Sequence, residues 1–285
     1  MPRQAESSCS DVLQSAAIVS TYSYTELGCP PTRQHAALAT ESALAISCNG
    51  LNHAVMMVSP CDLEDFVVGF SLTSGTINQI DDLYDLRLQQ EESGAWHANL
   101  QISSRAFWGL KQQRRQLAGS SGCGLCGVDA LEQALPQLTP LTPSALPAVA
   151  HFQQLRQRLN SVQQQARDSG GMHAAAFVDR HGKLLLCRED IGRHNALDKL
   201  IGALLRGGHD TCGGFAVVTS RCGLELLHKA VRAGIGTLVS LSAPTTLTVD
   251  WARRHHLNLI HALHGDAPRV YSPCPEPVRD PEKNL

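Results

Sequence analysis

The amino-acid sequence predicts an α/β fold whose carboxyl-terminal half is a mostly parallel sheet with helices on both faces. Three features predict it. Strand-like and helix-like segments alternate regularly after residue 148. The strand segments, such as "HAAAFVD", "GFAVVTS" and "LNLIHALH", are apolar nearly throughout rather than at every second residue. Three of the strands run into polar loops that open helices: "CREDIGRHNA", "TSRCGLE" and "SAPTT". Strands buried on both faces lose the alternating pattern, and intervening helices provide the crossovers that parallel pairing requires.

Taken in order, residues 1 to about 30 are polar without a steady period and end in "GCPPT". They read as a loose tail, residues 1–32. "ALAISCNG" and "NHAVMMVSP" read as two strands around Asn49-Gly50, a hairpin signal because both residues tolerate positive φ. "SPCDLEDFVVGFSL" reads as a helix with Asp62 as N-cap and Asp65 in the first turn. Two further strands, "DLYDLRLQ" and "WHANLQIS", lead into the basic segment "RAFWGLKQQRRQL" and then a cysteine pair. These form a smaller amino-terminal α/β subdomain, residues 33–140. "LPQLTPLTPSALPAV", with four prolines, marks the boundary.

Beyond it, "AVAHFQQLRQRLNSVQQQARD" reads as one long polar-faced helix ended by Gly170-Gly171. "HAAAFVD" and "KLLLCRE" are strands around an "RHG" turn. "NALDKLIGALLRGG" is a helix with an apolar stripe through Leu197, Leu200, Ile201, Leu204 and Leu205. "GFAVVTS", "GLELLHKAVRAG", "GTLVSLSAP", "TTLTVDWARRHH" and "LNLIHALH" then alternate strand and helix. This is the main domain, residues 141–272, followed by a tail, 273–285.

Ligands of open α/β sheets sit outside the carboxyl ends of the strands, near helix amino termini. The three polar loops meet that description. Each alone reads first as a solvated loop with capping residues; three at one sheet edge favour a shared anion or nucleotide pocket. Arg193 and Arg221 are its cationic anchors, since a guanidinium fork suits phosphate oxygens. Asp190, His194, Ser220, Ser242 and Thr245 are the further candidates. The element order also invites comparison with the cytidine-deaminase-like three-layer α/β/α fold. Those enzymes carry His-x-Glu and Cys-x-x-Cys at successive helix starts. Here His194 and Cys222 are present, but Ala196 and Glu225 replace the catalytic Glu and the second Cys, which excludes deaminase chemistry.

Composition narrows the classes. The chain has 285 residues, 43% hydrophobic and 18% charged, with a formal net charge of −2. A sizeable core is within reach, and no general positive field recruits nucleic acid or an anionic membrane. The start, "MPRQAESSCSDVLQS", lacks a signal-peptide pattern, and no apolar run approaches the roughly 20 residues of a membrane span. The expectation is a cytoplasmic protein whose thiols stay reduced. Of ten cysteines, Cys9, Cys29, Cys48, Cys61, Cys187, Cys212, Cys222 and Cys274 show no paired spacing. They read as ordinary buried or surface thiols.

Cys123 and Cys126, in "AGSSGCGLCGVDALEQAL", do form a local motif. Four explanations stand. A structural zinc site needs four ligands and only one half-site is present. A thioredoxin-like dithiol opens a helix after an early strand, usually behind a Trp, which is absent here. A nucleophilic or sulfur-carrying thiolate is favoured by the nearby helix start and opposed by Asp129 and Glu132. The fourth explanation is purely structural.

"SSGCGLCG", "GGMHAAAF", "REDIGRHNALDKLIG", "TSRCGLELLHKAVRAGIGTLVSLSAPTTLTVDWAR" and "NGLNHAVMMVSPCDLEDFVVGF" together resemble the FdhD/NarQ family over residues 40–272. "EDIGRHNALDK" is far more specific than any Cys-x-x-Cys. The resemblance implies a sulfur carrier, or sulfurtransferase, required for formate dehydrogenase. Such proteins take persulfide sulfur from a cysteine desulfurase and pass it to the molybdenum bis(molybdopterin guanine dinucleotide) cofactor before the cofactor enters the apoenzyme. By position in the motif, Cys123 is the persulfide-bearing residue and Cys126 its partner. The resemblance also implies guanine nucleotide binding, a homodimer, and cofactor contacts from Ala262, Leu263, His264, Gly265, Asp266 and Ala267. No permanent metal, nucleic acid or membrane partner is expected. Two departures stand out: Ser74-Gly75 replaces a common "EG", and "ALHGDAPR" offers only Arg269 and His264 as cations where relatives are basic. The competing reading is a non-catalytic cofactor-binding chaperone with structural or zinc-bound cysteines.

Overall fold

The computed structural model describes residues 19–28, 30, 32–119, 137–263 and 267–274, with 113–119 and 168 described by backbone alone. The cysteine motif lies outside the described residues, as do His264, Gly265 and Asp266.

The amino-terminal tail is not loose throughout. Strands β1 (Val19–Glu26) and β2 (Thr32–Ala39) pair antiparallel as a two-stranded ribbon. The lack of an alternating apolar face hid them, because most of the ribbon is exposed. β3 (Ser42–Cys48) and β4 (Leu51–Val58) form the expected hairpin, with Asn49 at φ 48° and Gly50 at φ 78°. A type I′ turn needs positive φ at both positions, which suits Asn-Gly. β5 (Leu83–Gln90) and β6 (Trp96–Ile102) complete a four-stranded sheet in the order β4-β3-β6-β5. Helix α1 (Leu63–Thr73) follows β4, and α2 (Ser104–Gly119) follows β6. Asp62 occupies the N-cap position of α1 but makes no side-chain cap; its backbone is left-handed and its carboxylate lies 3.6 Å from Arg188.

The second sheet runs β12-β11-β10-β9-β7-β8, built from β7 (His173–Val178), β8 (Leu184–Asp190), β9 (Phe215–Val218), β10 (Thr237–Ser240), β11 (Asn258–His261) and β12 (Arg269–Ser272). It is mixed rather than mostly parallel. Strands β9, β10 and β11 pair parallel, whereas β7 pairs antiparallel with both β8 and β9, and β12 antiparallel with β11. The reason is connection length. A tight turn at Asp179–Lys183, with Gly182 at φ 82°, forces β7 and β8 into a hairpin, while the helices after β8, β9 and β10 permit codirectional strands. β8, β9, β10 and β11 consequently all end at one edge.

Helices α5 (Arg193–Arg206), α6 (Leu224–Arg232) and α7 (Thr246–Arg254) cover one face of this sheet. The other face is covered by a short 3-10 turn, Val149–Phe152, and α3 (Leu155–Val162). The expected long helix is thus three pieces, the last being α4 (Gln165–Ser169). Gln154 breaks it with φ 50°, and Arg158 holds the break by donating to the carbonyls of His151 and Gly182. Glu189 accepts the backbone N–H groups of Gln164, Gln165 and Ala166, which starts α4 on a new axis.

The two sheets share one apolar core. Leu44, Ile46 and Leu100 from the small sheet, Phe66 and Val67 from α1, and Leu197, Leu200 and Ile201 from α5 belong to the same buried cluster. Helices α1 and α5 cross at two glycines. A Cβ on Gly69 would stand 1.8 Å from the Asp198 carbonyl oxygen, and one on Gly202 1.8 Å from that of Asp65.

Candidate functional site

The common edge where β8 to β11 end carries the three polar loops. Their backbones are sewn side by side: Leu241 N–H donates to the Val218 carbonyl at 3.1 Å, and Ala262 N–H to the Ser240 carbonyl at 3.0 Å. The Ser240 hydroxyl binds the carbonyls of Ser220 (3.1 Å) and Ser242 (2.7 Å). His173, at the start of antiparallel β7, stands opposite Asp190 and joins the same edge.

Asp190 lies beneath the first loop rather than on its surface. It is fully buried and accepts from Ser59 N–H (3.0 Å), Gly192 N–H (2.8 Å), Asn195 Nδ2 (2.9 Å) and Lys199 Nζ (2.8 Å). Lys199, equally buried, also donates to the Ser59 and Glu189 carbonyls. A buried ammonium is tolerable only when paired and hydrogen-bonded. A Cβ on Gly192 would stand 2.8 Å from Asn195 Nδ2, so a larger residue would have to displace the amide that donates to Asp190. The pair and the glycine fix the turn from which Arg193 projects.

Arg193 and Arg221 are exposed and have no hydrogen bond or ion pair from their side chains among the described residues. Burial and then the Arg193 charge push His194 below the ordinary histidine range, while Glu225, 3.8 Å away, pulls the other way. His194 Nε2 is buried and beyond hydrogen-bond distance of any described group. Burial and Arg193 lower His173 in the same way. Both imidazoles are therefore neutral at pH 7 and able to accept a hydrogen bond or a proton. Ser220 is buried and spends its hydroxyl on the Arg221 carbonyl; Thr245 spends its own on the capping box of α7. Ser242 is half-buried within the same loop. Cys222 is buried and its thiol is pushed up to about 12, which removes it as a nucleophile.

Further along the edge, Ala262, Leu263 and Ala267 line a cleft of about 420 Å³ with Phe152, Leu155, Arg156 and Pro268. Arg156 escaped the sequence reading because "LRQRL" looks like any solvated helix face. On the opposite edge, Leu141 N–H bonds the His255 carbonyl, and Asn258 Nδ2 bonds the Ser144 carbonyl at 3.2 Å. The chain following the cysteine motif is thus anchored at the amino-terminal ends of β10 and β11, away from the loops.

The family model described as "FdhD/NarQ family" matches residues 39–277. The chain belongs to the FdhD/NarQ family. Among FdhD relatives, the sulfur carrier protein FdhD of Cupriavidus necator is 41% identical over 235 residues, covering 82% of this chain and 81% of that protein. The protein of the same name from Xanthomonas euvesicatoria is 43% identical over 239 residues, covering 82% and 83%. The crystal structure of a putative formate dehydrogenase accessory protein from Desulfotalea psychrophila matches with TM-score 0.68 and 20% identity, over 89% of this chain and 96% of that one. That likeness is one of fold. FdhD/NarQ membership covers the loops, the cleft and the cysteine motif together.

Proposed function

We propose that this chain is a sulfur carrier for formate dehydrogenase maturation, with Cys123 as the sulfur-bearing thiol. The observation that carries the reading is membership of a family whose relatives, about 40% identical over four-fifths of their length, are named sulfur carrier proteins. The donor is a cysteine desulfurase and the acceptor the molybdenum bis(molybdopterin guanine dinucleotide) cofactor, handled as cargo in a cytoplasmic, homodimeric protein. The Cys123 thiolate attacks the outer sulfur of the donor persulfide; an S–S bond forms on Cys123, the donor's S–S bond breaks, and the donor cysteine leaves as thiolate. Cys126 is the resolving thiol. It attacks Cys123 sulfur and releases hydrosulfide to the acceptor, leaving a Cys123–Cys126 disulfide for a cellular dithiol to reduce. The polar loops at the sheet edge supply binding and orientation: Arg193 and Arg221 face a polyanionic acceptor, and neutral His194 and His173 stand beside them.

Incubation with a desulfurase, cysteine and pyridoxal phosphate should add ~32 Da, one sulfur atom, to Cys123. A Cys123→Ala protein that loads sulfur at the same rate would overturn the assignment. Cys126→Ala should still load Cys123 but release sulfur slowly. Metal analysis separates this from the chaperone reading: zinc bound one per chain and lost with both cysteines would favour the latter.

A further inference from the structure

The short connection from β4 to α1 sets a thiol against the buried ammonium beneath the first polar loop. Cys61 is half-buried and free. Its spacing pairs it with no other cysteine; the fold pairs it with an amine instead. Lys199 Nζ, on α5, lies 3.4 Å from Cys61 Sγ, and Gln165 Nε2, on α4, lies 3.3 Å from the same atom. Lys199 is wholly buried and has three oxygen acceptors besides: Asp190 Oδ2 at 2.8 Å and the Ser59 and Glu189 carbonyls, each at 3.1 Å. An ammonium has three N–H bonds. Those oxygens take them, which leaves the sulfur as a contact in excess. Burial pushes the Cys48 thiol up to about 11 and those of Cys187 and Cys222 up to about 12, so these three are poor nucleophiles. Cys61 differs in having a cation against its sulfur and an open side toward solvent, the setting in which thiols react with oxidants.

We infer that Cys61 is an oxidation site, at which hydrogen peroxide leads to a nitrogen–sulfur bond between Cys61 and Lys199. The Cys61 thiolate attacks one peroxide oxygen. An S–O bond forms, the O–O bond breaks, and the departing hydroxide takes up the thiol's proton as water. The sulfur, oxidised by two electrons, is then a sulfenic acid. Lys199 passes one proton to the Asp190 carboxylate, and its free amine attacks that sulfur. The N–S bond forms, the S–O bond breaks, and the hydroxyl leaves with a second amine proton as water. Both members of the buried pair are thereby neutralised. Ser59 and Gly192 N–H lose a carboxylate acceptor, and the turn that presents Arg193 loosens. A dithiol reverses the step: it restores thiol and amine and leaves as a disulfide.

Peroxide treatment of the full chain, followed by alkylation of remaining thiols and tryptic mapping, tests this. A joined pair of peptides holding Cys61 and Lys199 should appear, lighter by two hydrogen atoms than their sum, and should disappear on adding dithiothreitol. Trypsin should not cut at Lys199 in that pair. Peroxide should also speed amide exchange at Ser59 and Gly192 in the parent chain but not in Cys61→Ala. Lys199→Gln should stop at a dimedone-reactive sulfenic acid on Cys61; thermal melting checks that this variant folds, and mapping of the parent decides the matter without it. Cys61 recovered after peroxide as an alkylated thiol, a sulfinic acid or a disulfide, with Lys199 cut by trypsin, would overturn the inference. So would an equal rise in exchange in Cys61→Ala.

Discussion

Single side chains divide into those that build the sheet edge and those it leaves available. Asp190, read from sequence as a ligand contact, is committed on all sides, and its partner Lys199 is as deeply buried. Replacing Asp190 by Ala strands an ammonium in the core, a change that costs about 3–5 kcal/mol for buried pairs. Urea unfolding should register it as a large fall in midpoint; a shift no greater than that of a surface substitution would contradict the assignment. His194 and His173 behave differently. Their folded pKa values lie below the unfolded value near ~6.5, so both states are neutral above that pH. As pH falls below ~6.5 the unfolded chain binds protons first, and stability is lost. His194→Gln should therefore narrow the fall in urea midpoint between pH 7.5 and 5.5 relative to the parent, measured as a difference so that shared titrations cancel. Arg193 and Arg221 were legible as cations in loops. Arg156 was not, because nothing in a helical pattern says which arginine faces a cleft.

Among the elements, the crossing of α1 and α5 sets the geometry of the whole edge. Gly69 and Gly202 let the two backbones touch, so the loop entering α5 is held against the end of β4. Gly69→Ala or Gly202→Ala should destabilise by at least the 1–3 kcal/mol of an overpacked core, since the obstacle is backbone that cannot rotate away. The double variant should cost less than the sum, because one shift of the helices relieves both contacts. Additive losses in chemical denaturation would show that the sites act separately. Most strands and helices were legible at this scale from apolar runs and from Asn49-Gly50. Helix α2 and strands β2 and β12 were not anticipated, and two further segments were misread for physical reasons. The segment from Val149 to Ser169 breaks because Arg158 and Glu189 satisfy its backbone from outside, and β1 was hidden because its pattern carries no buried face.

In the whole molecule, α1 and α5 tie the small sheet and the large one into a single core. The proline-rich stretch after the cysteine motif, expected as a boundary, lies against the amino-terminal ends of β10 and β11 through Leu141 and Ser144. A fragment beginning at residue 141 would expose Leu197, Leu200 and Ile201, and should give no cooperative melting transition. A native-like transition in that fragment would refute the shared core. The sequence by itself determined the α/β class, the order of most elements, the three loops and the cysteine motif, because these depend on local periodicity, turn chemistry and motif residues. Only the tertiary structure decided that the sheet is mixed, that Asp190 supports rather than faces the site, and that Arg156 joins the cleft beside Ala262 and Leu263. Those depend on which distant groups meet across the sheet, and long-range pairing and burial leave no mark on the spacing of a single strand or helix.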